Sequence, residues 1–273
     1  RPHQLIMTAT PIPRTLAMSL YADLDLSVID ELPPGRTPID TRVLSSQKRD
    51  QVASRIQNLV AEGGQAYWIC TLVEDSEHLA AQAAETSHAW LSQHLPSLNI
   101  GLVHGRMSGD EKNAAMDDFK ALKTQVRVAT TVIEVGVDVP NANLRVIENA
   151  ERLGLAQLHQ LRGRVGRGQR ASFCLLMYDP PLSENGQARL ETLRQSNDGF
   201  VIAEKDLELR GPGDVLGTRQ TGDLSFRVAN LARDRELLPK TQAIAEQLHQ
   251  SYPDKAQALI KRWVGSRVVY SQV

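Results

Sequence analysis

The sequence predicts an α/β fold, a parallel sheet with helices on both faces, followed by an all-helical region. Three observations predict it. Short β-rich apolar runs alternate with helix-period segments up to about residue 178, the pattern of a parallel sheet with crossover helices. After about residue 180 the apolar runs stop and helical patterns continue. The chain has 273 residues, 41% hydrophobic and 23% charged. That is enough chain to bury about three-quarters of its extended surface without disulfide or metal staples.

The elements follow in order. Residues 31–40, ELPPGRTPID, hold three prolines and one glycine, so a linker is expected over 31–38. Buried strands are expected at 65–70 (QAYWIC), 98–104 (LNIGLVH), 126–130 (VRVAT), 144–149 (LRVIEN) and 171–178 (ASFCLLMY). Between them, Val52, Ile56, Leu59 and Val60 recur on one face of a helix over 47–62. Gly63-Gly64 stops that helix. A second helix, 76–94, opens on Ser76 and ends before Pro96, and a third, 108–120, carries the capping-box pair Ser108 and Glu111. Helices are then expected at 184–195 and 199–210, with more between 226 and 264. Leu237, Leu238, Ile244, Leu248, Leu259, Ile260 and Trp263 read there as packing residues. A glycine-rich loop, RGPGDVLGTRQTG (210–222), interrupts this helical region.

Charge and composition exclude several classes. Lys+Arg is 31 against Asp+Glu 32, a net charge of −1. A wholly basic nucleic-acid-coating protein is therefore excluded, but a local basic stripe is not. Aromatics are 4%, too few for a single-strand binder that works mainly by stacking bases. Cys70 and Cys174 lie in apolar runs and read as reduced core thiols of a cytosolic protein. The seven histidines show no ligand spacing with either cysteine, so no metal site is expected. No apolar run approaches the ~20 residues that span a bilayer, and Pro11 and Pro13 break any signal-peptide reading of the start. The first residue is Arg and an apolar run begins at Leu5, which reads as a cut inside a domain.

The strongest chemical signal is QLHQLRGRVGRGQR (157–170), with four arginines and no acid. Its glycines allow sharp turns and close approach to a ligand. Arg164 and Arg167 are three apart and would share a face if the stretch is helical. Paired guanidinium forks suit the oxygens of a transferring phosphoryl group; the plain alternative is a solvated basic turn. Thr130 and Thr131 end a strand, and threonine suits a strand for its own sake. His104 and Arg106 likewise follow a strand, flanking Gly105. Asp138 stands before Val139-Pro140 and can equally serve as a turn-capping residue.

These segments together resemble the helicases of superfamily 2. Gln160-x-x-Gly163-Arg164-x-Gly166-Arg167 resembles their motif VI. VATTVIEVGVDVPNA (128–142) resembles motif V, GLVHGRM (101–107) the motif between IV and V, and TATPIPRT (8–15) motif III. DLELRGPGDVLGTRQTG, with the segment from about 182, resembles the helical hairpin and loop shared by RecG-type helicases and transcription-repair coupling factors. With DELPPGRTPI and RLGLAQLHQLRGRVGRG added, the resemblance is to the RecG family over essentially the whole chain.

The resemblance implies a monomeric ATP-dependent motor on double-stranded DNA that remodels stalled forks and junctions in bacterial repair and recombination, in the nucleoid-containing cytoplasm. It implies a tail of a first RecA-like domain at 1–30, a second RecA-like domain at 39–180, a hairpin and coupling loop at 181–225, and C-terminal helices at 226–273. It makes Arg164 and Arg167 the fingers on the γ-phosphate of ATP, with Gln160, Gly136 and Asp138 in the nucleotide cleft. His104, Arg106, Thr130 and Thr131 become DNA contacts, and Arg210 and Gln220 couple nucleotide state to motion. The sequence holds no G-x-x-x-x-G-K-[ST] and no acid pair before motif III, so the phosphate loop and the Mg2+-binding acids are expected in the first domain. The rival expectations are a transcription-repair translocase and a non-catalytic RecA-like binding module.

Overall fold

The computed structural model describes residues 5, 27, 29, 38–71, 77–130, 139–166, 170–210 and 237–263. These fall into two compact units, one ending at Leu209 and one starting at Arg210.

The first unit is built on six parallel strands: β1 Asp40–Ser45, β2 Gln65–Cys70, β3 Ile100–Val103, β4 Val126–Thr130, β5 Ala142–Ile147 and β6 Phe173–Tyr178. Their spatial order is β1-β6-β5-β2-β4-β3. Two strands have the expected bounds, and the runs at 98–104, 144–149 and 171–178 are trimmed or shifted by about two residues. β1 was not expected. DTRVLS is an edge strand paired only with β6, and Thr41 is its one buried residue, so it lacks the continuous apolar run of the central strands.

Helices α1 Arg49–Ala61, α2 Glu77–His94, α3 Gly109–Lys120, α4 Leu155–Arg162, α5 Glu184–Gln195 and α6 Gly199–Arg210 connect and follow the strands. Side chains alternate across the sheet. Ala66, Trp68, Val126, Val128, Leu144 and Val146 face α1 and α2, packing with Ile56, Leu59, Ala84 and Leu91. Tyr67, Ile69, Ala129, Ile147, Cys174 and Leu176 face the other way, onto Phe119 of α3 and Leu155, Leu158 and Leu161 of α4. Leu190 and Leu193 of α5 and Ile202 of α6 share that second core. The helical hairpin is therefore part of the sheet's own hydrophobic unit.

In the second unit α7 Leu238–Ser251 packs on α8 Pro253–Trp263. Here the sequence expectation needs correction. Leu237, Ile244, Leu259, Ile260 and Trp263 are 47–62% exposed, so they are not core residues of this pair. Two neighbouring helices offer too little area to cover the whole apolar face that the sequence gives them. Among the described residues, no helix is long and apolar enough to cross a membrane.

Candidate nucleotide and nucleic-acid interface

The candidate residues collect at opposite edges of the sheet. At the carboxyl edge, β3 and β4 pair with Val103 opposite Ala129, so His104 comes level with Thr130. Thr130 is buried at the end of β4. His104 is mostly covered, with Nε2 3.5 Å from Oε1 of Glu85 on α2. Arg106 is exposed in the turn that follows. That turn is held from three sides. The Met107 N–H donates to the His104 carbonyl at 3.2 Å, and Lys112 Nζ donates to the Gly105 carbonyl at 2.8 Å. Ser108 and Glu111 form the expected capping box at the start of α3. The backbone N–H of Ser108, then its hydroxyl, hold the Glu111 carboxyl below its usual range. Among the described residues no ion pair engages Arg106, which leaves an exposed cation on a fixed turn beside two neighbouring strand ends. Such an arrangement suits a phosphate. Thr131, Gly136 and Asp138 lie outside the described residues.

On the α1/α2 face of the same edge, a partly buried network fixes the end of β5. Arg49 Nη2 lies 2.9 Å from Glu148 Oε1, and the Ser87 hydroxyl donates to Glu148 Oε2 at 2.8 Å. The Arg49 guanidinium stacks 4.4 Å from the Trp90 ring centroid. Burial, then the charge of Glu148, pushes the neighbouring Cys70 thiol up, which keeps it protonated and unreactive. Both cysteines are buried, as expected.

The motif at 157–170 lies elsewhere. A crossover helix runs antiparallel to its parallel strands, so α4 starts at the carboxyl edge and ends toward the amino edge. It stops at Arg162. The chain then turns tightly, with the Arg164 N–H on the Leu161 carbonyl at 3.3 Å and the Val165 N–H on the Arg162 carbonyl at 3.2 Å. Gly166 has φ +79°, and a Cβ there would sit 3.3 Å from Ile39 Cγ1. Ile39 and Ser172 flank the amino ends of β1 and β6, which fixes where this turn lies.

Gln160 and Arg164 are exposed close together at this end. Arg164 stands on the turn, two residues past the helix. The helical face conditionally expected for Arg164 and Arg167 does not extend that far, because the chain unwinds at Gly163. Arg167 lies outside the described residues, as does Gln220, and nothing is described of the Arg210 side chain beyond the last residue of α6.

The other two arginines of the motif do different work. The Arg170 Nη1 donates to the Glu62 carbonyl at 2.8 Å, tying the entry of β6 to the end of α1. Arg162 is only 2% exposed. Its Nη1 donates to the Leu193 carbonyl at 2.8 Å and the Ser196 carbonyl at 2.7 Å, both at the end of α5. Its Nη2 lies 2.9 Å from His159 Nδ1, which must be the acceptor because a guanidinium has only donors. Burial, then the charge of Arg162, lowers the His159 pKa to about 4, so the ring is neutral and can accept.

Sequence reading missed these anchors because a run of arginines looks uniformly like surface. A partial signal exists in arginines placed inside apolar strand runs. Arg145 of β5, buried, donates to the Leu161 carbonyl at 2.7 Å. No group of His, Cys, Asp and Glu among the described residues could hold a metal ion.

Comparison with known proteins shows what the chain is similar to. The helicase conserved C-terminal domain family matches residues 48–169. The family described as ATP-dependent DNA helicase RecG, domain 3, C-terminal, matches residues 196–261. The chain is 64% identical over 271 residues to the ATP-dependent DNA helicase RecG of Haemophilus influenzae, covering 99% of this chain and 39% of that protein. It is 61% identical to that of Escherichia coli strain K12, with the same coverage. A solved structure of RecG bound to a three-way DNA junction is similar with a TM-score of 0.65 and 44% identity, over 84% of this chain and 30% of that one. The chain thus spans about two-fifths of the length of the curated relatives it matches. With its sheet, its motif turn and its hairpin all accounted for by those matches, the chain belongs to the RecG family.

Proposed function

We propose that this chain is the C-terminal motor portion of an ATP-dependent helicase that moves on double-stranded DNA and remodels branched DNA such as stalled forks and junctions. The observation that carries the reading is identity above 60% along 99% of the chain to proteins named ATP-dependent DNA helicase RecG. The solved RecG relative held on a three-way junction supports the substrate class. The match of 196–261 to a RecG-specific family favours this over a transcription-repair translocase.

In this reading residues 1–30 end a first RecA-like domain, 31–38 link it, 39–180 form the second, 181–225 the hairpin and coupling loop, and 226–273 the closing helices. Arg164 and Arg167 place guanidinium forks on the γ-phosphate of ATP. There they stabilise charge that develops during transfer, and Gln160, Gly136 and Asp138 line the same cleft. Arg106, His104, Thr130 and Thr131 hold DNA phosphates at the opposite edge. Mg2+ is assigned to the acids of the first RecA-like domain, as the resemblance to RecG-type helicases implies. The protein works as a monomer in the cytoplasm, in keeping with its two reduced, buried thiols.

The two edges belong to one sheet with a continuous core on each face. Engaging ATP at the motif turn therefore displaces the DNA grip as one piece. Arg210 and Gln220, at the ends of the glycine-rich loop, pass that displacement on. The test uses the full-length protein: ATP hydrolysis with and without a three-way junction, and strand separation of the same junction. Hydrolysis indifferent to DNA, or no strand separation, refutes the reading.

A further inference from the structure

We propose that the cleft between the end of α1 and the starts of β5 and β6 is a phosphate-binding site, held by the guanidinium groups of Arg55 and Arg170. The site does not depend on the motor reading, and none of the residues assigned above to ATP or DNA lines it.

The cleft encloses about 400 Å³. Arg55, Asn58 and Leu59 of α1 line one side and Arg170 and Phe173 the other, with Asn143 of β5 joining them. Arg55 lies across the Phe173 ring, its guanidinium carbon 4.7 Å from the ring centroid. Stacking uses the face of the guanidinium and leaves its N–H edge for a ligand. Among the described residues, no ion pair engages Arg55 or Arg170. Arg170 donates Nη1 to the Glu62 carbonyl at 2.8 Å. That bond offsets the negative end of α1 and orients the rest of the fork. The Glu62 side chain also belongs to the lining, so one carboxylate faces two guanidinium groups and positive charge prevails.

Asn143 supplies a second, independent observation. It is 8% exposed, and its Nδ2 donates to the Ala171 carbonyl at 3.3 Å. Its buried Oδ1 has no hydrogen-bond partner among the described residues. Gly64 makes room for that oxygen, because a Cβ there would stand 2.5 Å from it. A buried acceptor without a donor is costly. A ligand hydroxyl, or a water bridging to one, relieves that cost.

These features select among anions. A carboxylate presents two oxygens in one plane and is satisfied by a single guanidinium fork. Forks on two sides of a cleft suit a tetrahedral group, whose oxygens point to both. A protonated phosphate also carries the hydroxyl donor that Asn143 lacks. The phosphate can belong to a free small molecule or to a nucleic-acid backbone, and the experiment separates the two.

Hydrogen exchange of the full-length protein is followed while inorganic phosphate replaces chloride at equal ionic strength. Amides of 58–64 and 170–174 are expected to gain protection, and acetate is expected to give much less. Arg55→Gln is the decisive variant, because Arg55 stacks on a ring without holding a backbone group. It should weaken the phosphate midpoint about tenfold, the scale of one lost charge-assisted contact. Arg170→Lys, which keeps a donor for Glu62 but loses the fork, should weaken it as well. No protection of the wild type by phosphate, equal protection by acetate, or an unchanged midpoint in Arg55→Gln overturns the proposal. Binding of a three-way junction across a salt series then identifies the source. If Arg55→Gln lowers the slope of log affinity against log salt by about one, the phosphate is a DNA backbone group. If the slope is unchanged while the inorganic phosphate effect is lost, the site takes a free phosphate compound.

Discussion

Gly166 shows how much a single position can be asked to do. Its φ of +79° and the 3.3 Å approach of Ile39 penalise any side chain, by about 1–2 kcal/mol for the backbone alone. Gly166→Ala is thus expected to lower the urea midpoint accordingly; an unchanged midpoint would mean that the turn relaxes freely. Arg164, by contrast, is exposed. In the full-length enzyme Arg164→Ala is expected to leave stability within about 0.5 kcal/mol and to cut ATP turnover by a factor on the order of 10³, the range for arginine fingers. Turnover within tenfold of wild type would demote it to a positioning charge. His159 gives a pH signature. Its folded pKa of about 4 lies below the ordinary value of 6.5, so the unfolded state binds the proton first. The contribution is complete above about pH 6.5 and is lost as the pH falls toward 4. Denaturant melts of wild type and His159→Gln across that window test it: the wild type should lose stability more steeply on acidification, and parallel curves refute the assignment.

At the scale of elements, local signals and tertiary bonds are layered. The Ser108–Glu111 capping box starts α3 and also anchors the turn that displays Arg106. Ser108→Ala is expected to cost about 1 kcal/mol of unfolding free energy, read from thermal or urea unfolding, because it strands an N-terminal N–H of the helix. A cost below a few tenths would show that the turn is held by Lys112 and the Met107 bond alone. α4 has no such local start signal beyond Gly154 and Gln157, whose side chain accepts from the Gly154 N–H at 3.2 Å. At eight residues it is too short to persist alone. It is a helix because Leu155, Leu158 and Leu161 are buried and because Arg145 and Arg162 secure its end.

For the whole molecule, the separation of the two edges has a consequence for the 273-residue chain itself. The chain carries finger and DNA-contact candidates but no phosphate-loop motif. It is expected to hydrolyse no ATP, with or without DNA. With a net charge of −1 its DNA binding should be weak and fall steeply with added salt. DNA-stimulated turnover by this chain, or tight binding that survives high salt, would contradict the assignment of the phosphate cradle and Mg2+ to another domain.

Much was determined by the sequence itself. Central strands announced themselves because both of their faces are buried, so QAYWIC and VRVAT are nearly continuous apolar runs. Helices announced themselves through 3.6-residue spacing, Gly63-Gly64 and the Ser108–Glu111 pair, all interactions within a few residues of each other. The motif segment stood out because glycine and arginine recur in it at a fixed spacing with no acid between them. Tertiary structure alone decided the rest. β1 is a strand because β6 offers it a partner. The exposed apolar residues of α7 and α8 could not be assigned from amphipathicity, which reports a face and not what covers it. The four arginines of 157–170 look alike in sequence, yet one is buried against α5, one anchors α1 and one faces solvent, because a long guanidinium side chain takes its role from whatever carbonyl, carboxylate or water the fold brings within reach.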